Sequence, residues 1–347
     1  MTHLWVRAEQ RAHEQRVGIM PEGVTALLKA GFAVTVEESA QRSVPIADYA
    51  RTGAAIAPAE SWVNAPEDAI VFGLKELADD RTPLRHRHIM FGHAYKGQPD
   101  GRRLLDRFHA GGGSLLDLEY LTDEQGRRVA AFGYWAGYAG AAVSLICWIA
   151  QQRGGIAGPV RAVPSAAHLL ADLQADLVQL GTQRPTALII GAKGRVGTGA
   201  ADLCREMGVA TTLWDVDETA HGGPFPEIMA HELFLNCILA RPGTPVFVPA
   251  SAKSADRRLS VVGDIACDPD SDFSPIKVYD RVTSWDTPAF RVHAAPPLDV
   301  TAIDNLPSLM PLESSQDFAD QLLPHLLTLP DGDVWLRARA MFDRAIT

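Results

Sequence analysis

Charged and titratable side chains recur at the ends of short apolar runs in the amino-terminal part of the chain. Lys75 and Glu76 follow AIVFGL (Ala69 to Leu74), His93 ends HIMFGH with Tyr95 and Lys96 just beyond, and Asp117 and Glu119 lie in SLLDLE, with Arg127 and Arg128 soon after. Arg16 closes the polar stretch after the first such run. In an open parallel sheet, ligands bind at the carboxyl ends of the strands, so this spacing gathers the set on one rim. A lysine flanked by cations is destabilised as an ammonium and serves as an acid or base. A histidine titrates near neutrality, and arginines grip carboxylates at two points. Such parts suit a substrate bearing several carboxylates and an amine. Any one of them alone is more often a solvated or capping group, and it is their coincidence at successive strand ends that points to catalysis.

A second chemistry-bearing stretch, TALIIGAKGRVGTGA (Thr186 to Ala200), is an apolar run entering a glycine turn and then a small-residue helix. Glycines let the backbone approach a pyrophosphate, and a helix N-terminus offers unpaired N–H groups to its charge. Gly191, Gly194 and Gly197 fall as GxxGxxG rather than a strict GxGxxG, with Lys193 and Arg195 between them. The strand before, the helix after and Asp215 at the end of TTLWD support a dinucleotide site. A carboxylate there accepts hydrogen bonds from an adenosine ribose and repels a 2′-phosphate, which favours NAD over NADP.

These residues need a scaffold of alternating elements. LWVRA reads as a strand, PEGVTALLKAGF as a helix with Pro21 in its first turn and Gly31 at its close, and AVTVEE as another strand. The three apolar runs above are also of strand length, with a helical RRLLDRF between the last two. Farther on, SAAHLLADLQADLVQLG reads as a capped helix, LFLNCIL and LSVVGDI as strands, and VWLRARAMFDRA as a terminal helix able to pack on either half. The expected fold class is α/β, with two Rossmann-like domains, mostly parallel sheets and an interdomain active-site cleft. Residues 1–130 with 311–347 are expected to form a substrate and catalytic domain, and residues 131–310 an NAD-binding domain with a linking helix.

At 347 residues and 47% hydrophobic content the chain can bury two cores. Its net charge of −10 disfavours nucleic acid. The amino terminus is charged and lacks the apolar core of a signal peptide, so a cytoplasmic protein is expected. Cys147, Cys204, Cys237 and Cys267 are too widely spaced for a zinc or CxxC pattern, and no metal is expected. The uncharged run from Val129 to Ala150 is long enough to span a bilayer. Its poverty in Leu and Ile and its glycines favour instead a buried helix with close neighbours, and no membrane association is expected. The composition permits a monomer.

The strings GLKE (Gly73 to Glu76), FGHAYK (Phe91 to Lys96), GGGSLLDLEYL (Gly111 to Leu121), GRRVAAFG (Gly126 to Gly133), GGPFPEI (Gly222 to Ile228) and IDNLPSLMP (Ile303 to Pro311) carry a resemblance over almost the whole chain. It is similar to the NAD-dependent, L-lysine-forming saccharopine dehydrogenases, relatives of alanine dehydrogenase. The resemblance implies oxidation of saccharopine by NAD to L-lysine and 2-oxoglutarate, small molecules being the partners. It makes Lys75 and His93 the acid–base pair, with Arg16 and Arg128 on substrate carboxylates and Lys96, Glu119 and Phe132 lining the site. Gly191, Gly194, Arg195, Val196, Gly197, Asp215 and Cys237 would hold the dinucleotide, with Asp264 and Ile303, Asp304 and Leu306 toward its nicotinamide end. The chain departs from the family pattern at three points. Val196 stands where fungal members have a cysteine able to pair with the one matching Cys237, Ala266 replaces a serine, and Leu312 replaces a basic residue.

Three alternatives remain open at this level: oxidative deamination of a simple amino acid, oxidation of another N-carboxyalkyl amino acid, and a nucleotide-binding regulator without turnover.

Overall fold

A computed structural model describes residues 1–97 and 99–346; Thr347, the last residue of the expected first domain, lies outside them. The chain divides into two compact units, Met1–Ala131 with Pro311–Thr347 and Phe132–Met310.

The first unit runs β1 (His3–Val6), α1 (Pro21–Lys29), β2 (Ala33–Glu37), α2 (Ile46–Arg51), β3 (Ala55–Ala57), β4 (Ile70–Phe72), β5 (Arg87–Met90), α3 (Pro99–Gly111) and β6 (Ser114–Asp117). Among the described residues its strands pair in parallel in the order β3-β2-β1-β4-β5-β6. That is the doubly wound order with its reversal between β1 and β4, where ligand crevices form. Strands buried on both faces read as unbroken apolar runs, as in the fully buried Ile70–Phe72. SLLDLE proves to be strand only through Asp117; Leu118–Tyr120 forms a 3₁₀ turn carrying Glu119.

The second unit begins with α4 (Gly133–Gln152) and α5 (Ala166–Leu180), then β7 (Thr186–Ile190), α6 (Arg195–Glu206), β8 (Ala210–Trp214), α7 (Val216–Thr219), α8 (Pro226–Met229), β9 (Leu233–Asn236), β10 (Val261–Asp264), β11 (Phe290–Ala294) and β12 (Pro297–Thr301). Its order is β11-β12-β10-β9-β7-β8, parallel except for the antiparallel β11–β12 pair. Both units are therefore Rossmann-like, and the second reverses between β7 and β9.

α5 shows how local sequence sets an element. Ser165 caps it by accepting the His168 N–H, Leu169, Leu173 and Leu177 form its buried stripe, and Gly181 closes it at φ 61°. α4 is the buried helix with close neighbours that its composition implies, a core element of the second unit, buried along most of its length. It does meet the length and composition of a membrane span, as core helices of soluble proteins also do. Its packing on α6 explains its small residues: a Cβ on Gly137 would stand 1.7 Å from the Val196 carbonyl oxygen, and one on Gly199 1.9 Å from that of Tyr134. Tyr134 and Tyr138 then donate their hydroxyls to Asp202 and Glu206 on α6, at 2.9 and 2.6 Å.

The chain returns to the first unit as α9 (Pro311–Leu326) and α10 (Asp333–Ile346). The buried Ser315 hydroxyl of α9 accepts the Val17 N–H at 2.9 Å, anchoring the long loop after β1. α10, which the sequence left free to pack on either half, packs in the first unit, where Phe342 meets the Phe108 ring of α3.

Candidate active site

The reversal point of the first unit is built from charged side chains. Arg7, buried just past β1, donates from Nη1 to the Ala8 carbonyl at 3.0 Å and from Nη2 to that of Lys75. Its guanidinium lies where a side chain on Gly73 would begin, since a Cβ there would come within 2.4 Å of Arg7 Cζ. Glu9 accepts the N–H groups of Leu74 and Lys75 at 2.7 and 2.9 Å. These two residues, which the sequence did not single out, therefore fix the backbone that presents Lys75.

Beside Lys75, Glu14 and Arg16 are buried against each other, with Arg16 Nε and Nη2 donating to Glu14 at 2.8 and 2.6 Å. Arg16 thus already spends one two-point grip on an internal carboxylate. Burial first, then the Arg16 and Arg11 charges, hold the Lys75 ammonium below its ordinary range, against the pull of Glu14 and Glu76. That is the direction of shift that makes a lysine a more available proton acceptor.

His93 lies beyond β5 and Glu119 beyond β6, on neighbouring strands. His93 Nδ1 meets Glu119 Oε2 at 3.0 Å, and Lys96 Nζ meets Oε1 at 2.8 Å. The carboxylate only accepts, so Nδ1 carries the hydrogen and Nε2 is the basic nitrogen. The His93 hydrogen bond, followed by that of Lys96, overcomes partial burial and holds Glu119 down at about 2. Lys75 and His93 are close in register, because the Phe91 N–H donates to the Leu74 carbonyl at 2.8 Å. Arg128 is exposed in the turn closed by the Thr122–Arg128 bridge, and Phe132 caps α4 as the first residue of the second unit.

The second unit fills its own reversal point with backbone. Gly191 takes φ 88°, and a Cβ on it would press on Ile238 Cγ2 at 2.6 Å and the Cys237 carbonyl at 3.0 Å. A Cβ on Gly197 would stand 2.1 Å from the Gly191 oxygen, so this turn closes only without side chains. Gly194 is the N-cap of α6 with no side-chain cap, which leaves the helix N-terminus for an anion; Arg195 is exposed and Val196 half-buried in its first turn. Asp215 directly follows β8, accepts the Lys193 N–H at 3.0 Å and caps α7. This bare turn, open helix end and strand-end carboxylate fit a dinucleotide.

Farther along the same strand edge, Asp264 is buried between Asn236 Nδ2 at 2.9 Å and the Tyr279 hydroxyl, with burial pushing its carboxyl up. Asn236 and Tyr279 are further partners that the sequence did not reveal. Ile303 is buried and Asp304 exposed just past β12, and Leu306 opens a buried 3₁₀ turn. The Cys267 thiol donates to Ala302, joining this loop to the one after Asp264. All four cysteines are free, and no metal-binding cluster occurs among the described residues.

Residues 5–139 match the alanine dehydrogenase/PNT N-terminal domain family. A curated protein of Schizosaccharomyces pombe named saccharopine dehydrogenase, NAD(+), L-lysine-forming, is 40% identical over 99% of this chain and 98% of its own length. A Yarrowia lipolytica protein of the same name is 42% identical over 99% and 97%. An L-alanine dehydrogenase structure shares the fold, with a TM-score of 0.71 at 19% identity over 99% of this chain and 94% of its own. With full-length identity at that level, the chain belongs to the L-lysine-forming saccharopine dehydrogenase family.

Proposed function

We propose that the protein oxidises saccharopine with NAD and water, yielding L-lysine, 2-oxoglutarate and NADH. The observation that carries this reading is the pair formed by Lys75, depressed by burial and cationic neighbours, and His93, held by Glu119, at adjacent strand ends. The full-length relatives support the choice of substrate.

Lys75 takes the proton from the secondary amine, freeing its lone pair. A bound nicotinamide would supply the hydride acceptor for the glutaryl carbon. His93 Nε2 takes a proton from water as it adds to the resulting imine carbon and returns it to the amine nitrogen; as the carbinolamine C–N bond breaks to release lysine, the hydroxyl proton passes to Nε2 and on to solvent. Glu119 keeps the imidazole oriented and balances its charge, while Lys96, Arg16 and Arg128 receive substrate carboxylates. Gly191, Gly194, Gly197, Arg195, Val196 and Cys237 would hold the pyrophosphate region, Asp215 the ribose in preference to a 2′-phosphate, and Asp264 with Ile303, Asp304 and Leu306 the nicotinamide end. In this reading the acid–base groups belong to the first unit and the nucleotide loop to the second.

Lys75→Met and His93→Gln test the assignment. Each is expected to lower turnover with saccharopine by about 10²- to 10⁴-fold, the usual worth of a proton-transfer group. Turnover within a few-fold of the parent in either variant would remove that residue from its role.

A further inference from the structure

Asp117 ends β6, is fully buried and has no part in the proton transfers above. Its Oδ1 accepts the Glu119 N–H at 2.9 Å, which caps the 3₁₀ turn carrying Glu119. Toward β5, its register partner is Met90, two residues before Gly92. Gly92 admits the carboxylate closely: a Cβ there would meet Leu115 Cδ2 at 2.6 Å and Asp117 Oδ2 at 3.3 Å. His93 follows directly, at φ 49°, a left-handed conformation that a non-glycine residue keeps only where its surroundings hold it.

The position is costly for a carboxylate. Oδ2 has no hydrogen-bond partner among the described residues, and the Leu104 and Leu115 side chains lie around Gly92. An apolar side chain would fill the end of β6 without that penalty, so the charge is explained by what Asp117 holds rather than by stability.

We propose that Asp117 is a positioning residue, capping the turn that carries Glu119 while its carboxylate packs against Gly92 next to His93, and thereby setting the histidine–carboxylate pair in register for proton transfer. The inference rests on the functional reading above, yet concerns a geometry that exists without substrate.

The test is a double-mutant cycle on saccharopine turnover, run with Asp117→Ala and with Asp117→Asn, each in the parent and in a Glu119→Ala background. Asp117→Ala is expected to lower kcat about 30-fold or more in the parent but no more than about 3-fold once Glu119 is gone, because coupled residues are non-additive. Asp117→Asn, which keeps an oxygen for the Glu119 N–H, is expected to recover most of that loss. A crystal structure of Asp117→Ala should show the His93 Nδ1 to Glu119 Oε2 separation, 3.0 Å in the parent, opened beyond hydrogen-bond reach. Equal losses in both backgrounds, an unchanged separation, or loss of folding in both Asp117 variants would assign the residue to general stability and overturn the proposal. A parent protein inactive on saccharopine would defeat the functional reading instead, leaving the separation to decide this one.

Discussion

In the first unit the strand order reverses between β1 and β4, and in the second between β7 and β9, yet the two crevices are made of different material. The first is occupied by side chains: Arg7 and Glu9 clamp the backbone around Lys75, and Glu14 and Arg16 lie paired beside it. The second is almost bare backbone, with Gly191 and Gly197 in contact at a distance that excludes a Cβ and α6 left without a side-chain cap. One topology thus supplies the place twice. Charged side chains suit it to the proton handling proposed above, and bare backbone suits it to the approach of a phosphate.

The contrast breaks most visibly at Lys75. Lys75→Met should lower kcat/KM for saccharopine by about 10²- to 10⁴-fold while calorimetry finds the Kd for NAD within about 3-fold of the parent. A weakened Kd with intact kcat would place Lys75 with the cofactor and erase the distinction between the crevices.

Gly197→Val is the reciprocal change. Its side chain would collide with the Gly191 carbonyl, so stability in urea should fall by about 1–3 kcal/mol, and the Kd for NAD should rise more than about tenfold. Unaltered binding would show that the turn does not carry the dinucleotide.

The first unit also buries a base that the second lacks any counterpart for among its described histidines. His88 on β5 lies between the Trp62 and Phe108 rings with neither nitrogen hydrogen-bonded among the described residues, and burial, then the Arg7, His86 and Arg107 charges, holds it well below 6.5. The unfolded chain therefore takes up this proton first. Stability is intact above about pH 6.5 and is lost as pH falls from there through the folded value, at up to about 1.4 kcal/mol per unit. His88→Leu should flatten that slope between pH 7 and 5 in urea titrations, and parallel slopes in the two proteins would refute it. Glu119, held at about 2, adds its own loss only below about pH 4.5.

Asp215→Ala sharpens the comparison least. Removing the α7 cap should cost about 1 kcal/mol, and the preference for NAD over NADP should relax. A preference left unchanged would take the ribose contact away from Asp215.

What could be read directly from the residues divides along the same line. The glycine turn was legible because backbone contact forbids side chains at Gly191 and Gly197, leaving a mark in the sequence itself. Lys75, His93 and Glu119 were legible because each follows an apolar run at a strand end. Arg7 and Glu9 were not, since they sit at the start of an aperiodic loop and their partners are backbone groups some 65 residues away. The Asn236, Asp264 and Tyr279 contacts join three separate segments, which spacing cannot reveal. The brief β3 and the antiparallel β11–β12 pair gave too short a pattern, and α4, apolar on all sides, carried no polar stripe to distinguish a core helix from a membrane span. The docking of α10 depended on a surface formed only after folding.

The central claim is that a depressed lysine and a carboxylate-held histidine on one unit act with a dinucleotide held by the other. Purified protein supplied with saccharopine and NAD, followed by absorbance of the reduced cofactor and by amino-acid analysis, tests it most directly. The account predicts NADH, lysine and 2-oxoglutarate in equal amounts, with no reduction when alanine replaces saccharopine. Reduction driven by alanine, or NAD binding without turnover of saccharopine, would contradict it.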